Sequence, residues 1–266
     1  MKLLSLVVFL AWPVRALIHR GDHASRPVTH LRFLSLIGNE GSGHHSLTPA
    51  IHEILGIGGG HDDHTRISEH RAQSFTVLNE TEDETQDEAE SQVFMFDGEE
   101  SGQLLMAFLA HDPHRFKTAL RNYKHNTLLQ QEYSFPTGFQ NREPTDKIYD
   151  LTKLYQMLHE AGVSRKAVIK YDRDPEDRAE SIFRRFPWLF KHGLAESKKS
   201  QREFERKIDE HLQNVQKMHV PVLRVSMNEL NRTCPVFVHK VSGFLKEHDM
   251  IPRDRSQQHM VNLVCK

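Results

Sequence analysis

The chain has 266 residues, 38% of them hydrophobic and 27% charged, and a net charge of −1. This is the composition of an ordinary globular protein with room for one sizeable core. It excludes a polybasic chain that binds nucleic acid or anionic membranes by its overall charge, so any anion site has to be local.

The first residues read MKLLSLVVFLAWPVRALI. Lys2 precedes an apolar run from Leu3 to Trp12, and Val14 and Ala16 are small or apolar. This pattern predicts a secretory signal peptide over residues 1–16, cut near Ala16. The run is too short to cross about 30 Å of hydrocarbon. The expectation is therefore a single domain over residues 17–266 in the secretory pathway, in the Golgi lumen or secreted, with no transmembrane span after cleavage. Asn79 and Asn231 each open a glycosylation sequon. Cys234 and Cys265 are the only cysteines; an oxidising compartment permits a disulfide between them, and two free thiols are the alternative.

Residues 31–37 are short, apolar and stopped by Gly38, which predicts a buried strand. Residues 46–55 place Leu47, Ile51, Ile54 and Leu55 on one helical stripe. Residues 79–100 are dominated by Glu and Asp and read as a solvated insertion. Residues 102–129 read as largely helical with an interruption at Pro113, and residues 131–136 as a short strand ended by Pro136. An amphipathic helix follows over 148–160, then a strand over 167–171. A helix starts at Pro175, a long charged helix covers 196–219, a strand covers 220–226 and a last helix 236–247. Strands alternating with helices predict an α/β fold: three αβα layers around a mostly parallel sheet.

The stretch GNEGSGHHS, residues 38–46, joins the first strand to the first helix. Backbone N–H groups at such a turn, with the helix dipole, hold an anion without a side-chain cation. Gly41 and Gly43 allow close approach, Ser42 and Ser46 add hydroxyls, and His44 and His45 follow. A nucleotide-hydrolysing loop needs G-x-x-x-x-G-K-[ST]. Here His44 stands where that Lys belongs, and no Lys or Arg lies between Arg32 and Arg66. The segment RDPEDRAES then places Arg173 after a strand and Ser181 two turns into the next helix. A bidentate guanidinium and a neutral hydroxyl at that spacing suit a dianion.

With EGSGHHSL at the first corner and RDPEDRAES at the second, the chain resembles the sulfotransferases that use 3′-phosphoadenosine 5′-phosphosulfate. VPVLRVSMNELNRTCPVFVHKVSGFLKE, residues 220–247, is similar to that family's closing strand, turn and helix. The three stretches together make up about a sixth of the chain. The resemblance implies a P-loop NTPase-like sulfotransferase fold. It also implies transfer of a sulfuryl group from that co-substrate to an acceptor hydroxyl or amine, most naturally on a carbohydrate or small molecule. Gly41, Ser42, Gly43, His44, His45 and Ser46 then hold the 5′ end of the nucleotide, and Arg173 and Ser181 its 3′-phosphate. Gly41 occupies the place of the family's usual loop cation, which makes His44 and His45 the substitutes, and Glu132 is the candidate base. Arg253 and Arg255 are stand-ins for the family's basic carboxyl-terminal loop.

No metal is expected: GGGHDDHTR, residues 58–66, reads as a polar loop because neighbouring ligands seldom converge on one ion. Nucleic acid is not an expected partner. Two alternatives stay open, an inactive nucleotide-binding or scaffold protein of the same fold and a kinase-like P-loop protein.

Overall fold

The structure, a computed structural model, describes residues 28–29, 31–38, 42–56, 95–96, 101–123, 127–132 and 150–266. The expected signal peptide, Gly41, Asn79 and the HDDH loop lie outside them.

The first strand, β1 (Arg32–Ile37), is the hub of the sheet. Its residues alternate between two faces, as a strand's must. Phe33 and Ile37 enter one core cluster, and Leu34 and Leu36 the other. On one side β1 pairs in parallel with β3 (Thr127–Glu132), on the other with β4 (Arg165–Asp172). β5 (Val222–Ser226) extends the parallel set beyond β4. The two-residue β2 (Met95–Phe96) closes the far edge, antiparallel to β3. The order is β2-β3-β1-β4-β5. The chain is thus an α/β protein with a mostly parallel sheet.

Helices cover both faces, which a sheet buried on each side requires. Phe33, Ile37 and Val168 face α2 (Ser101–Leu109), α3 (Pro113–Asn122), α4 (Leu151–Glu160) and α6 (Leu194–Lys217). The stripe on α6 is the one read from sequence: Phe204, Ile208, Leu212 and Val215. The opposite face, with Leu34, Leu36, Ile169, Tyr171 and Val225, meets α1 (His44–Leu55), α8 (Cys234–Glu247) and α9 (Gln257–Val264). Between these, α5 (Pro175–Arg185) follows β4 and packs on α6, and α7 (Met227–Arg232) follows β5. No helix among the described residues is long and apolar enough to cross a membrane.

One buried hydroxyl ties the layers together. Tyr155 of α4 lies with its oxygen 2.9 Å from both Ser35 Oγ and Ala167 O, so one hydroxyl bridges β1 and β4. Its ring meets Phe33 edge to face at 5.8 Å. Burial pushes the phenol well above its ordinary range, so it stays a neutral donor.

The interruption expected at Pro113 separates α2 from α3, with Asp112 capping α3 through Arg115 N. The helical expectation fails only at its end, where residues 127–129 belong to β3. The strand expected at 131–136 therefore begins four residues earlier. Leu128 and Leu129 gain backbone partners level with Phe33 and Leu34 of β1, a sheet contact that outweighs local helix propensity. Met95 and Phe96, assigned to the acidic insertion, form β2; the apolar run VFMF after the acids carries them into the sheet. The short helices α7 and α9 were not foreseen as helices. α7 carries a capping box, Ser226 to Glu229 N and Glu229 to Ser226 N, and Ser256 caps α9.

Cys234 and Cys265 form a disulfide, with their Cα atoms 5.7 Å apart and a sequence separation of 31. It fastens the start of α8 to the end of α9, on the face that carries α1. Closing a loop of that length restricts the unfolded chain by roughly 3.5 kcal/mol on the chain-entropy account. Replacing both cysteines with serine should lower the melting temperature by on the order of 10 °C. A calorimetric scan of the double variant that overlays the parent would contradict this.

Candidate functional site

Parallel pairing brings the two predicted corners to one edge. Ile37, the last residue of β1, lies level with Lys170 of β4 and Glu132 of β3. The loop after β1 and the turn after β4 therefore leave adjacent strands at their carboxyl ends. The chain departs from them in opposite directions: α1 packs on one face of the sheet, and α5 packs on α6, which covers the other. A crevice opens where adjacent parallel strands diverge in this way, and ligands of open α/β sheets sit there.

The first corner is built by close approach. A Cβ on Gly38 would lie 2.5 Å from the Tyr171 ring and 2.7 Å from Ser42 Oγ. Only hydrogen fits. Gly43 holds φ +92°, a left-handed conformation that a side chain would strain, and a Cβ there would stand 3.0 Å from Met227 Cβ. The loop thus rests on the ends of β4 and β5. Gly43 is the N-cap of α1 and offers no side chain to the helix N–H groups. Its carbonyl accepts from Ser46 N and Leu47 N at 3.0 Å each. Ser42 is fully buried, and its hydroxyl finds no hydrogen-bond partner among the described residues. An orphan hydroxyl costs free energy unless something fills its place. Thr48, one turn into α1, bonds the Tyr171 hydroxyl at 2.8 Å and locks helix to strand.

His44 and His45 are the first two helical residues. Glu132 ends β3 beside Ile37. The structure thus brings the backbone of these three positions and of Ser42, Gly43 and Ser46 to one edge.

The second corner is acidic, and the Asp174 carboxylate is already engaged. Arg173 is exposed just beyond β4, and Ser181 is half-buried within α5. Arg173 stands two residues before α5, and Ser181 lies about 9 Å along its axis from Pro175. The N–H groups of Glu176 and Asp177 are already taken by the Asp174 carboxylate, at 2.8 and 3.1 Å. Glu176 and Asp177 themselves occupy the first turn. An anion at this corner depends on side chains, because the helix end is capped from within. Arg253 and Arg255 lie elsewhere: Arg253 pairs with Asp249, and Arg255 donates to Glu53 O at the far end of α1. They do not supply a basic loop at this edge.

Reasoning from sequence missed the ionic cluster beneath the second corner. Arg178 is fully buried in α5, donating Nε to Gln201 Oε1 at 2.9 Å. Its Nη1 also forms an ion pair with Glu205 Oε2 at 3.0 Å, short of hydrogen-bond geometry. Burial pulls the guanidinium below its ordinary value, Glu205 offsets part of that, and an arginine remains charged. Lys170, only 3% exposed, bonds Glu205 and Asp172. Arg224 of β5 adds bonds to Asp172 and Asp209. Three cations meet three carboxylates, so the cluster is internally neutral and none of its charges is spare for a ligand. The detectable signal was Lys170, the one charge within AVIKY.

The floor of the first corner is set by the turn from β5 into α7. Glu229 accepts from Ser226 N at 2.7 Å and from Lys240 Nζ at 2.6 Å. Burial raises its pKa, but the Lys240 and Ser226 bonds outweigh burial and leave it below the ordinary carboxylate value.

The chain matches no protein-family model, no curated protein and no solved structure. The reading of this site rests on its own geometry. Among the described residues no group of acidic, histidine or cysteine side chains is arranged to hold a metal.

Two predictions follow from this geometry. Gly38→Ala should destabilise the fold by about 1–3 kcal/mol, since the new methyl overlaps a ring held by Thr48; an unchanged urea midpoint would contradict it. The lowered pKa of Glu229 contributes stability above the unfolded glutamate value, near 4.3, that is lost as pH falls below it. Thermal scans from pH 6 to pH 3 should show the difference between parent and Glu229→Gln shrinking with acidity, whereas a constant difference contradicts the linkage.

Proposed function

We propose that this chain is a sulfotransferase that uses 3′-phosphoadenosine 5′-phosphosulfate and acts in an oxidising, secretory compartment. The observation that carries the reading is the meeting of two loop corners at the carboxyl ends of adjacent parallel strands β1 and β4. On this reading the uncapped start of α1, with Ser42, Gly43, His44, His45 and Ser46, takes the 5′-phosphosulfate. Ser42 Oγ gains the partner it otherwise lacks. Arg173 and Ser181 take the 3′-phosphate through side chains alone. The disulfide supports the compartment, since such bonds persist where thiols are not kept reduced.

The reaction is an in-line displacement at sulfur. A bond forms from the acceptor oxygen or nitrogen to sulfur as the bond from sulfur to the bridging phosphate oxygen breaks. The acceptor proton passes to a base, for which Glu132 is the candidate by its place beside β1. Negative charge grows on the departing phosphate, and N–H donors at the start of α1 with a protonated His44 or His45 stabilise it. A carbohydrate hydroxyl is the acceptor this reading favours. A protein of the same fold that binds the nucleotide without transfer is the second reading. The observation behind it is the missing loop cation, together with a cluster that keeps Lys170 and Arg178 for the fold.

Calorimetric titration with 3′-phosphoadenosine 5′-phosphate tests the site. We expect saturable heat, with Arg173→Ala weakening affinity by about tenfold or more, as loss of a charged hydrogen bond predicts. An absence of heat, or an Arg173→Ala variant that binds as well as the parent, contradicts the proposal. Radiolabelled sulfate transfer to carbohydrate acceptors separates the two readings: binding without transfer selects the second.

A further inference from the structure

At the far end of α5, about 16 Å from its first residue and one turn beyond Ser181, the chain makes a hard turn. Phe186 leaves the helix, Pro187–Leu189 form a single 3₁₀ turn, and Gly193 admits the chain to α6. Phe190 is nearly buried and packs against Phe183 at 6.3 Å, forming an apolar base. Trp188 does not join it. It is 62% exposed, although its ring is the largest apolar group of the segment. Its orientation is held: the ring meets Phe186 edge to face at 5.6 Å, and the Arg185 guanidinium lies 5.0 Å above Phe186.

Along the segment the charge has one sign, although the Glu196 carboxylate reaches back to accept from His192 N at 2.7 Å. Between Glu180 and Glu196 there is no acidic residue, while Arg184, Arg185 and Lys191 all fall there and are exposed. The neighbouring cations differ: Lys198 and Arg202 are matched by Glu176 and Glu180. Arg184 and Lys191 have no ion-pair partner among the described residues. In a chain of net charge −1 this is a local concentration of positive charge around a braced, exposed ring.

We propose that this elbow binds an anionic linear polysaccharide, with Arg184, Arg185 and Lys191 meeting its carboxylate or sulfate groups and Trp188 lying against a sugar ring. Guanidinium forks match such oxyanions two bonds at a time. Clustered cations are the electrostatic footprint of a polyanion. Two features favour carbohydrate over other polyanions and over lipid. The disulfide belongs to an oxidising compartment, away from most nucleic acid. Phe183 and Phe190 pack on each other, and among the described residues Trp188 has Phe186 as its one ring contact, not the several apolar neighbours an interfacial membrane anchor needs. The elbow lies at the opposite end of α5 from Arg173 and one turn beyond Ser181, and the inference does not depend on the proposed transfer activity.

Trp188 is its own reporter, because Trp12 is the only other tryptophan. In a Trp12→Phe background, tryptophan emission is titrated without nucleotide against three probes: heparin, uncharged dextran, and vesicles containing phosphatidylserine. Heparin should change the emission saturably, with affinity that falls as salt rises. Trp188→Ala, followed by surface-immobilised heparin in place of emission, and Arg184→Gln/Lys191→Gln should each weaken binding at least fivefold, while melting temperatures stay at the parent value. Heparin affinity unaltered in both variants overturns the proposal, as does an equal response to dextran. An emission shift with vesicles and none with heparin overturns it in favour of a lipid surface. Loss of nucleotide binding elsewhere in the chain leaves the heparin result unchanged, so the two readings fail separately.

Discussion

The parallel pairing of β1 with β4 is the constraint from which the rest of the site follows. Its register sets Ile37 against Lys170, so Gly38 arrives beside the Tyr171 ring, where a side chain would collide. A shift of one residue would exchange the two faces of β1, sending Leu34 and Leu36 toward α4 and Phe33 toward α1. Both core clusters therefore defend the same register, and the register brings the two corners together. The Tyr155 hydroxyl, shared between Ser35 and Ala167, reinforces it from within the sheet.

The ionic cluster of Lys170, Arg178 and Arg224 with Asp172, Glu205 and Asp209 serves a different purpose. Burying charge is costly, and a buried pair is not by itself strong evidence for stability. Removing one member is severe, because the remaining charge is left without its partner. What the cluster does is fix geometry: Arg178 binds α5 to α6 through Gln201 and Glu205, and Lys170 binds β4 to the same Glu205. The strand and helix that flank Arg173 are thus both tied to α6. That rigidity suits a corner whose helix end is already capped by Asp174 and whose ligand contacts are left to side chains.

The core was legible where periodicity was clean. Leu47, Ile51 and Ile54 in α1 and the stripe on α6 lie buried where helical spacing put them. The apolar run before Gly38 is the central strand, and the glycines announced a tight corner whose reason, the Tyr171 ring, sequence could not reveal. β3 was misjudged because TLLQQE carries no clear alternation and becomes a strand only beside β1. The acidic character of the second corner was visible as residues, but not the capture of the α5 N–H groups by Asp174. Arg178 lies three residues before Ser181, and its burial depends on α6, which sequence does not place. The elbow at Trp188 was hidden for the converse reason, since an apolar run reads as core until the fold leaves one ring outside.

The central claim is that the two corners act on one ligand. Amide hydrogen exchange with and without 3′-phosphoadenosine 5′-phosphate tests it most directly. Simultaneous slowing in peptides covering residues 42–48 and residues 173–182 is the predicted result. Slowing confined to one of these segments, or in neither, would contradict the account.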